Sequence, residues 1–348
     1  MALEQNKEKI FAIDLFCGCG GVTEGLKQAG FTVVAAVDND PTCCETYRLN
    51  HPEVKLIEKD ICKTSARSLK LVLGKRKLHL LVVCAPCQPF SSLNKSTKPD
   101  DRVFLILQAI RFTKALRPKF VLFENVPGLT KNKPIIEELK NEFAKLGYVI
   151  GEPQAIDAAD YEVPQRRLRC VIVAAKKQTV ELPAPKTPAG KRITVRSALG
   201  QLPVAGSKNQ DDPLHVSRHH SRITIQRLQH ISHDGGSRDE LPTKLVLPCH
   251  KKLDDAGNTA YYSDVYGRMK WDDVAPTLTT GCTDVTKGRY AHPCYDRAIT
   301  LREAALLQTF PVNYRFYGNS SQISRQIGNA VPVNLAKNLA TAFLPPEE

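Results

Sequence analysis

Residues 10–23 read IFAIDLFCGCGGVT, and this stretch decides the predicted fold of the chain. The apolar run over residues 10–15 is typical of a buried strand, and the glycines after it allow a tight turn. Residues 22–29 then have the spacing of an amphipathic helix. A strand, a glycine-rich turn and a helix in this order open the units from which doubly wound α/β sheets are built.

The same alternation continues over the first 175 residues. Residues 32–37 are rich in the β-branched residues that strands favour, and a proline opens a helical pattern over residues 41–49. Further strands are predicted at residues 78–83, 120–123 and 170–174, and further helices at residues 102–116, 302–308 and 332–343. Because strands that alternate with helices form parallel sheets, the sequence predicts a parallel, doubly wound sheet.

Ligands of such sheets bind beyond the carboxyl ends of the strands. Polar and glycine-rich turns follow several of the predicted strands, so these turns are expected to meet at one crevice. The segments expected there are residues 14–21, Asp38, Asp60, residues 84–92 and residues 124–128.

Length and composition indicate a globular protein. The chain has 348 residues, 42% of them hydrophobic and 24% charged, and its mean hydropathy is −0.28. No apolar run reaches the roughly 18 residues that a membrane span needs. No uncharged segment typical of an export signal follows the polar N-terminus, so we predict a cytoplasmic protein without a membrane partner. In that compartment the eleven cysteines are expected to be reduced thiols.

The positive charge is concentrated in the second half of the chain. The net charge is +13, and residues 161–297 hold 22 basic and 14 acidic side chains together with seven of the nine histidines. This favours a nucleic-acid surface there, although solubility alone would also explain a basic excess. A shift toward Pro, Ala, Thr and Lys after residue 182 indicates a domain boundary. We predict one domain from residues 1–200 plus 298–348, and a second from residues 201–297.

The glycine-rich turn and the acid that follows it indicate a nucleoside-bearing cofactor. Glycines let the backbone approach a ligand, and Asp38, 17 residues after Gly21, can accept both hydroxyls of a ribose. Thr23 stands where the dinucleotide fingerprint requires glycine, which argues against NAD or FAD. The alternative is a tight turn without a binding role.

Cys84 and Cys87 have the spacing of a redox pair. They run into prolines rather than into a helix, which disfavours a disulfide role. The pairs Cys17/Cys19, Cys43/Cys44 and Cys84/Cys87 also lack the paired spacings of a structural zinc site. Cys87 in its proline-rich loop is the better candidate nucleophile, and a buried structural thiol is the alternative for Cys84.

Glu124 directly follows an apolar strand, an unfavourable position unless the carboxyl is paired or reactive. A helix cap or a salt bridge is the alternative. Arg167 and Arg169 precede residues 170–174, and strand alternation would put both on one face. Phosphate contact competes there with an ordinary surface charge run.

Taken in order, the motifs Phe-x-Gly-x-Gly-Gly, Pro-Cys-Gln, Glu-Asn-Val, Gln-x-Arg-x-Arg and Gly-Asn-x-Val resemble the DNA cytosine-5-methyltransferase family, particularly its bacterial modification enzymes. The resemblance spans residues 11–173 and 297–344. It implies a doubly wound, Rossmann-like, S-adenosylmethionine-dependent methyltransferase domain. A smaller, mostly irregular or β target-recognition domain would occupy residues 201–297.

The resemblance implies methyl transfer from S-adenosylmethionine to C5 of a flipped cytosine in a short duplex sequence, with S-adenosylhomocysteine as product and no metal. Cys87 would add to C6 of the base, and Glu124, kept protonated by burial, would face N3. Arg167 would stabilise the thiolate. Arg169 would touch the base carbonyl or orient Glu124.

Further contacts follow from the same resemblance. Asp38 would bind the ribose and Asp60 the adenine amino group, with Ile61 and Phe16 packing on the adenine. The complete set of expected cofactor contacts is Asp14, Phe16, Gly18, Gly20, Asp38, Asn39, Asp60, Ile61, Pro86 and Asn329. The expected DNA contacts are Gln88, Ser91, Arg167, Thr277 and Leu278.

The implied partner is double-stranded DNA. A bacterial modification enzyme would act as a monomer and pair functionally with a cognate restriction endonuclease, without a stable complex. The alternatives are a tRNA cytosine-5-methyltransferase and a catalytically silent nucleic-acid-binding protein that keeps the cofactor fold. An oxidoreductase is disfavoured by Thr23.

Overall fold

A computed structural model describes residues 9–86, 101–207, 211–248 and 264–345. The strands of these residues form one sheet. They are β1 (Phe11–Leu15), β2 (Thr32–Asp38), β3 (Lys55–Glu58), β4 (Leu78–Val83), β5 (Phe120–Asn125), β6 (Tyr148–Ile150), β7 (Gln154–Asp157) and β8 (Leu168–Lys176). Their spatial order is β3-β2-β1-β4-β5-β8-β6, and β7 pairs with β8 beside that path.

The sheet is mixed rather than parallel throughout. β1 to β5 are parallel, as predicted, but β8 runs antiparallel to β5, β6 and β7. The prediction of an entirely parallel sheet is therefore wrong for the last strands. An apolar run indicates a buried strand but not its direction, which depends on the connections. The doubly wound class itself is confirmed.

Helices flank the sheet and continue beyond it. They are α1 (Gly21–Gln28), α2 (Pro41–Asn50), α3 (Ala66–Leu73), α4 (Gln108–Leu116), α5 (Lys133–Lys145), α6 (Val195–Leu199), α7 (Arg222–Gln229), α8 (Leu301–Leu307), α9 (Ser320–Asn329) and α10 (Val333–Ala340). The helix predicted at residues 102–116 is a 3-10 helix over Asp101–Leu107 followed by α4, and the one predicted at residues 332–343 is α10 followed by a 3-10 turn.

Side-chain caps fix where several of these helices begin. Asp40 accepts hydrogen bonds from the backbone N–H groups of Thr42 and Cys43, and Pro41 is the first residue of α2. Thr300 and Glu303 form a capping box at α8. The Asp40 cap places the start of α2 beside the carboxyl end of β2. This part of the chain forms one wall of the site.

Two apolar layers cover the two faces of the sheet. On one face Phe112 of α4 and Phe143 of α5 pack against the strands, and on the other Leu26 of α1 meets Leu335 of α10 and Phe343. Each fully buried side chain of this size contributes about 2–3 kcal/mol through removal of apolar surface from water. The two layers make the sheet a rigid support for the turns at its carboxyl edge.

Residues beyond the sheet form smaller cores. One includes Leu228, Ile231, Val285 and Ala291. In the described part of residues 201–297 the backbone is helical or irregular with only isolated bridges, so the β character predicted there is not observed. The fully buried guanidinium of Arg268 donates hydrogen bonds to backbone carbonyls of this region, which in a β-sheet would accept from a neighbouring strand. Its acceptors are the carbonyls of Leu228, Ile231, His292 and Tyr295 and the carboxylate of Asp296.

None of the described helices has the length and apolar character needed to cross a bilayer. The predicted division at residues 200 and 298 stays a prediction.

Candidate active site

The turns after β1, β2, β4 and β5 meet at the carboxyl edge of the sheet, around a cavity of about 250 Å³. Ligands of doubly wound sheets bind at this edge. Eight of the predicted site residues line the cavity. They are Phe16, Gly18, Asp38, Asn39, Pro86, Glu124, Arg169 and Asn329.

The glycine-rich turn needs its glycines for two different reasons. Gly18 and Gly20 have φ angles of +52° and +97°, which L side chains rarely adopt. At Gly21 a Cβ atom would lie 2.6 Å from the carbonyl oxygen of Val331. The turn is therefore held close to the C-terminal segment, and its backbone faces the cavity.

Asp38 is oriented toward the cavity by two backbone amides. Its Oδ2 accepts from Gly18 N–H at 2.8 Å and its Oδ1 from Asp40 N–H at 2.9 Å. Burial raises the pKa of this carboxyl, while the two amides favour its ionised form. A carboxylate fixed in this way suits the paired hydroxyls of a ribose.

Asp14 lies beneath the cavity rather than in its wall. Its side chain is fully buried, its Oδ2 accepts from the Thr23 hydroxyl at 2.9 Å, and its Oδ1 has no hydrogen-bond partner among the described residues. Burial raises the pKa of Asp14 to about 7. The predicted direct cofactor contact is not supported, because the carboxyl is engaged by Thr23 and, through it, by Tyr47.

Three other predicted cofactor residues are absent from the described lining of the cavity. Gly20 faces His51 and Tyr314 at the back of the turn. Asp60 caps a 3-10 helix by accepting from Cys62 N–H at 2.8 Å, and Ile61 is buried in the core. The contacts of these three residues with the cofactor stay predictions.

Glu124 and Arg169 form a buried ion pair in the cavity wall. The Nε atom of Arg169 is 2.7 Å from Oε1 of Glu124, and the two residues are 8% and 7% exposed. The carboxyl that was predicted to be merely buried therefore also has a charged partner. Asn125 donates to the carbonyl of Ala85 at 3.1 Å and so joins the ends of β5 and β4.

Arg167 occupies a different environment from Arg169. Its guanidinium donates to the carbonyl oxygens of Leu278, Gly328 and Ala330 at 2.9, 2.9 and 3.0 Å, and the residue is 2% exposed. Neither a catalytic role nor a DNA contact is supported, since the side chain is buried among carbonyls and does not line the cavity.

Thr277 and Leu278, the two residues of the Thr-Leu step with predicted DNA contacts, differ in their exposure to solvent. Thr277 is exposed, and its hydroxyl donates to the carbonyl of Arg166 at 2.7 Å. The side chain of Leu278 is fully buried in an apolar core, and its contact with DNA stays a prediction. The Thr-Leu step is hydrogen-bonded to residues 165–167, which directly precede β8.

Replacing Arg167 with lysine is expected to lower the free energy of unfolding by about 2–4 kcal/mol, because a single ammonium cannot bond the carbonyls of Leu278, Gly328 and Ala330 together. Urea unfolding measures this. The exposed neighbour provides the control, and Arg166→Lys is expected to stay within about 0.5 kcal/mol of wild type. Unchanged stability of an Arg167→Gln variant, together with a salt dependence of DNA binding that is shallower by about one phosphate, would instead support the predicted DNA contact.

Cys87, Gln88 and Ser91 lie outside the described residues. The preceding Cys84 lines the cavity, and burial followed by the charge of Glu124 raises the pKa of its thiol well above the ordinary value. This agrees with a neutral thiol at Cys84 and not with a nucleophile. The described residues contain no cluster of three or more side chains suited to a metal ion.

Sequence reasoning missed several cavity residues. Asn125 was part of the Glu-Asn-Val motif, and Gln326 lies one turn before Asn329 on α9, so helical spacing could have found it. Cys17 and Cys19 line the cavity within the segment 14–21 that was expected there, although no role was predicted for either thiol. Cys43 also lines the cavity, and it lies outside the segments expected at the crevice.

Comparisons with known proteins agree with this architecture. The family model for C-5 cytosine-specific DNA methylases matches residues 10–344. The type II methylase M.HgiDII of Herpetosiphon aurantiacus is 40% identical over 340 residues, which cover 95% of this chain and 94% of that protein. The type II methyltransferase M.XorII of Xanthomonas oryzae pv. oryzae is 33% identical over 350 residues, which cover 93% and 82%.

A crystal structure of an E. coli prophage-encoded protein described as a DNA modification methyltransferase shares the fold. Its TM-score is 0.73 at 24% identity, with 96% of this chain and 98% of that chain covered. Together with the family match over nearly the whole sequence, the comparisons show that the chain belongs to the C-5 cytosine-specific DNA methylase family.

Proposed function

We propose that this DNA cytosine-5-methyltransferase uses S-adenosylmethionine to methylate C5 of a cytosine flipped out of a short duplex sequence, through a covalent adduct of Cys87. The observation that carries the proposal is that the Glu124–Arg169 pair lines the same cavity as the glycine-rich turn and Asp38. The proposed nucleoside site and the buried acid Glu124 therefore open into the same cavity. Cys84, three residues before Cys87, lines this cavity as well.

The residues present fit the cofactor. Asp38 is held by two amides and faces the cavity with acceptor capacity for ribose hydroxyls, and the close packing at Gly21 leaves the backbone of the turn accessible to a ligand. Asn39 and Asn329 add amide groups to the wall. Bound S-adenosylmethionine supplies an electrophilic methyl group.

The residues of this chain would overcome the low nucleophilicity of cytosine C5. C5 of cytosine is too weakly nucleophilic to react alone, so the Cys87 thiolate adds to C6 and the displaced electron pair loads charge on the ring toward N3. Glu124, paired with Arg169 in the free protein, would take up a proton from solvent when the base binds and give it to N3. After C5 takes the methyl group, a water molecule would remove the C5 proton, the C5–C6 double bond would re-form with expulsion of the Cys87 thiolate, and N3 would return its proton to Glu124.

Reaching the base requires its extrusion from the duplex, which costs a few kcal/mol. Contacts from basic side chains to the flanking phosphates would offset this cost, and the basic residues of the region 201–297 are suited to them. We assign sequence reading to that region. Functional pairing with a cognate restriction endonuclease, with the methyltransferase acting as a monomer, belongs to the same proposal.

Incubation of the purified protein with genomic duplex DNA and radiolabelled S-adenosylmethionine tests the proposal. The expected result is 5-methylcytosine confined to one short sequence, which bisulfite sequencing would identify. Label appearing in tRNA transcripts but not in duplex DNA would favour the tRNA enzyme. Absence of label from varied duplex DNA and from tRNA would contradict the proposed activity.

A further inference from the structure

The back of the glycine-rich turn is held by a buried chain of hydrogen bonds that no sequence motif predicted. The Tyr314 hydroxyl donates to the carbonyl oxygen of Cys19 at 2.6 Å and lies 3.0 Å from Nε2 of His51. The Nδ1 atom of His51 lies 3.3 Å from the ammonium of Lys27. Tyr314 and His51 are 3% and 1% exposed.

The direction of the donors along this chain is fixed by its ends. Lys27 can only donate, so Nδ1 of His51 accepts and Nε2 carries the hydrogen that Tyr314 accepts. Burial, followed by the charge of Lys27, lowers the pKa of His51 to about 4, which agrees with a neutral ring. The Tyr314 hydroxyl is thereby left to donate to Cys19.

The Tyr314 hydroxyl holds the Cys19–Gly20 peptide, and steric contacts alone do not decide how this peptide is oriented. Gly20 has a φ angle of +97°, and glycine adopts either sign of φ readily. The Gly20 N–H donates to the carbonyl of Cys17 at 2.9 Å, and the Cys19 carbonyl accepts from Tyr314. Both sides of the Cys19–Gly20 peptide are therefore fixed by hydrogen bonds.

This peptide leads directly into α1, whose first turn has no side-chain cap at Gly20. Gly18, Cys19, Gly21 and Val22 all line the cavity. The N-terminus of a helix favours an anion, and the anionic group of S-adenosylmethionine is its carboxylate. A Cys19 carbonyl rotated toward the cavity would repel that carboxylate.

We propose that Tyr314 is a positioning residue for the carboxylate end of the cofactor, acting by holding the Cys19 carbonyl away from the cavity. This inference rests on the proposed function. Tyr314 does not touch the cofactor, and its aromatic ring, which packs on Phe310 and Phe316 with centroids 4.7 and 5.3 Å away, keeps its place without the hydroxyl.

The test is Tyr314→Phe, with binding of two ligands measured by calorimetry. S-adenosylhomocysteine carries the amino-acid carboxylate, and 5′-methylthioadenosine lacks it. The dissociation constant of the first is expected to rise roughly five- to tenfold, the effect of one hydrogen bond, while that of the second changes less than about twofold. In turnover, KM for S-adenosylmethionine is expected to rise with little change in kcat.

Tyr148→Phe is the matched control. Its hydroxyl donates to the carbonyl of Pro118 at 2.5 Å and it is 5% exposed, but it lies in β6 away from the cavity. It is expected to lower stability as Tyr314→Phe does and to leave both dissociation constants unchanged.

Equal weakening of both ligands by Tyr314→Phe, or no weakening of either, would overturn the positioning role while leaving the proposed function intact. Wild-type protein that binds neither ligand would overturn the proposed cofactor, and the positioning role with it.

Discussion

Cys87→Ala is expected to abolish methyl transfer, with a loss of at least about a thousandfold in kcat, and to leave S-adenosylmethionine binding within about twofold of wild type. Without the thiolate no electron density is driven to C5, so the electrophilic methyl group has no adequate acceptor. The hydrogen bonds that fix Asp38 and the glycine-rich turn involve residues that follow β1 and β2, and the substitution removes none of these bonds. A radiolabel transfer assay and calorimetry measure the two quantities.

Cys84 supplies a matched control from the same loop. Its thiol lines the cavity, but its pKa is raised well above the ordinary value by burial, so it stays neutral. Cys84→Ala is expected to retain turnover within severalfold and to cost about 1 kcal/mol of stability through lost packing. Loss of turnover in Cys84→Ala together with its retention in Cys87→Ala would reverse the assignment of the nucleophile.

A substrate with 5-fluorocytosine at the target separates adduct formation from the rest of the reaction. Fluorine at C5 cannot leave as the proton does, so the thiolate is not expelled after methylation and a covalent complex accumulates. Wild-type protein is expected to give a protein–DNA species that survives denaturing electrophoresis, and Cys87→Ala is not. The same species in Cys87→Ala would place the nucleophile elsewhere.

The sequence predicted the first strands and helices of this fold well, because apolar periodicity and turn residues indicate the same elements there. The strand at residues 78–83 has the same bounds in the structure, and the first strand and helix differ by one residue. The pattern did not predict α3, α5 or the edge strand β3. A four-residue edge strand carries little periodicity, and its existence depends on pairing with β2 rather than on its own residues.

The limits of prediction at the site have a similar cause. Residue type and spacing located the turns that meet at the cavity, because the carboxyl edge of a parallel sheet brings them together. Spacing could not tell Arg169, which faces Glu124, from Arg167, which is buried among carbonyls of residues more than 100 positions away. Alternation assumes that both arginines are on the strand, yet β8 begins at Leu168.

Glu124→Gln is expected to lower kcat by about a hundredfold or more, since an amide can donate a hydrogen bond to N3 but cannot give it a proton. It is also expected to cost on the order of 3 kcal/mol of stability, because the buried Arg169 guanidinium, 2.7 Å from the carboxylate in the native protein, loses its counter-charge. Single-turnover kinetics at saturating cofactor measure the first effect and urea unfolding the second.

The stability loss alone could lower activity, and a second buried ion pair separates the two effects. Glu303 is 2% exposed and contacts Arg297 through both oxygens at 2.7 and 2.8 Å, but it does not line the cavity. Glu303→Gln is expected to destabilise the protein by a similar amount while kcat of the folded fraction stays within severalfold. If Glu124→Gln and Glu303→Gln reduce kcat equally, the buried acid at position 124 serves stability and not proton transfer, and the cavity wall would have to supply another donor to N3.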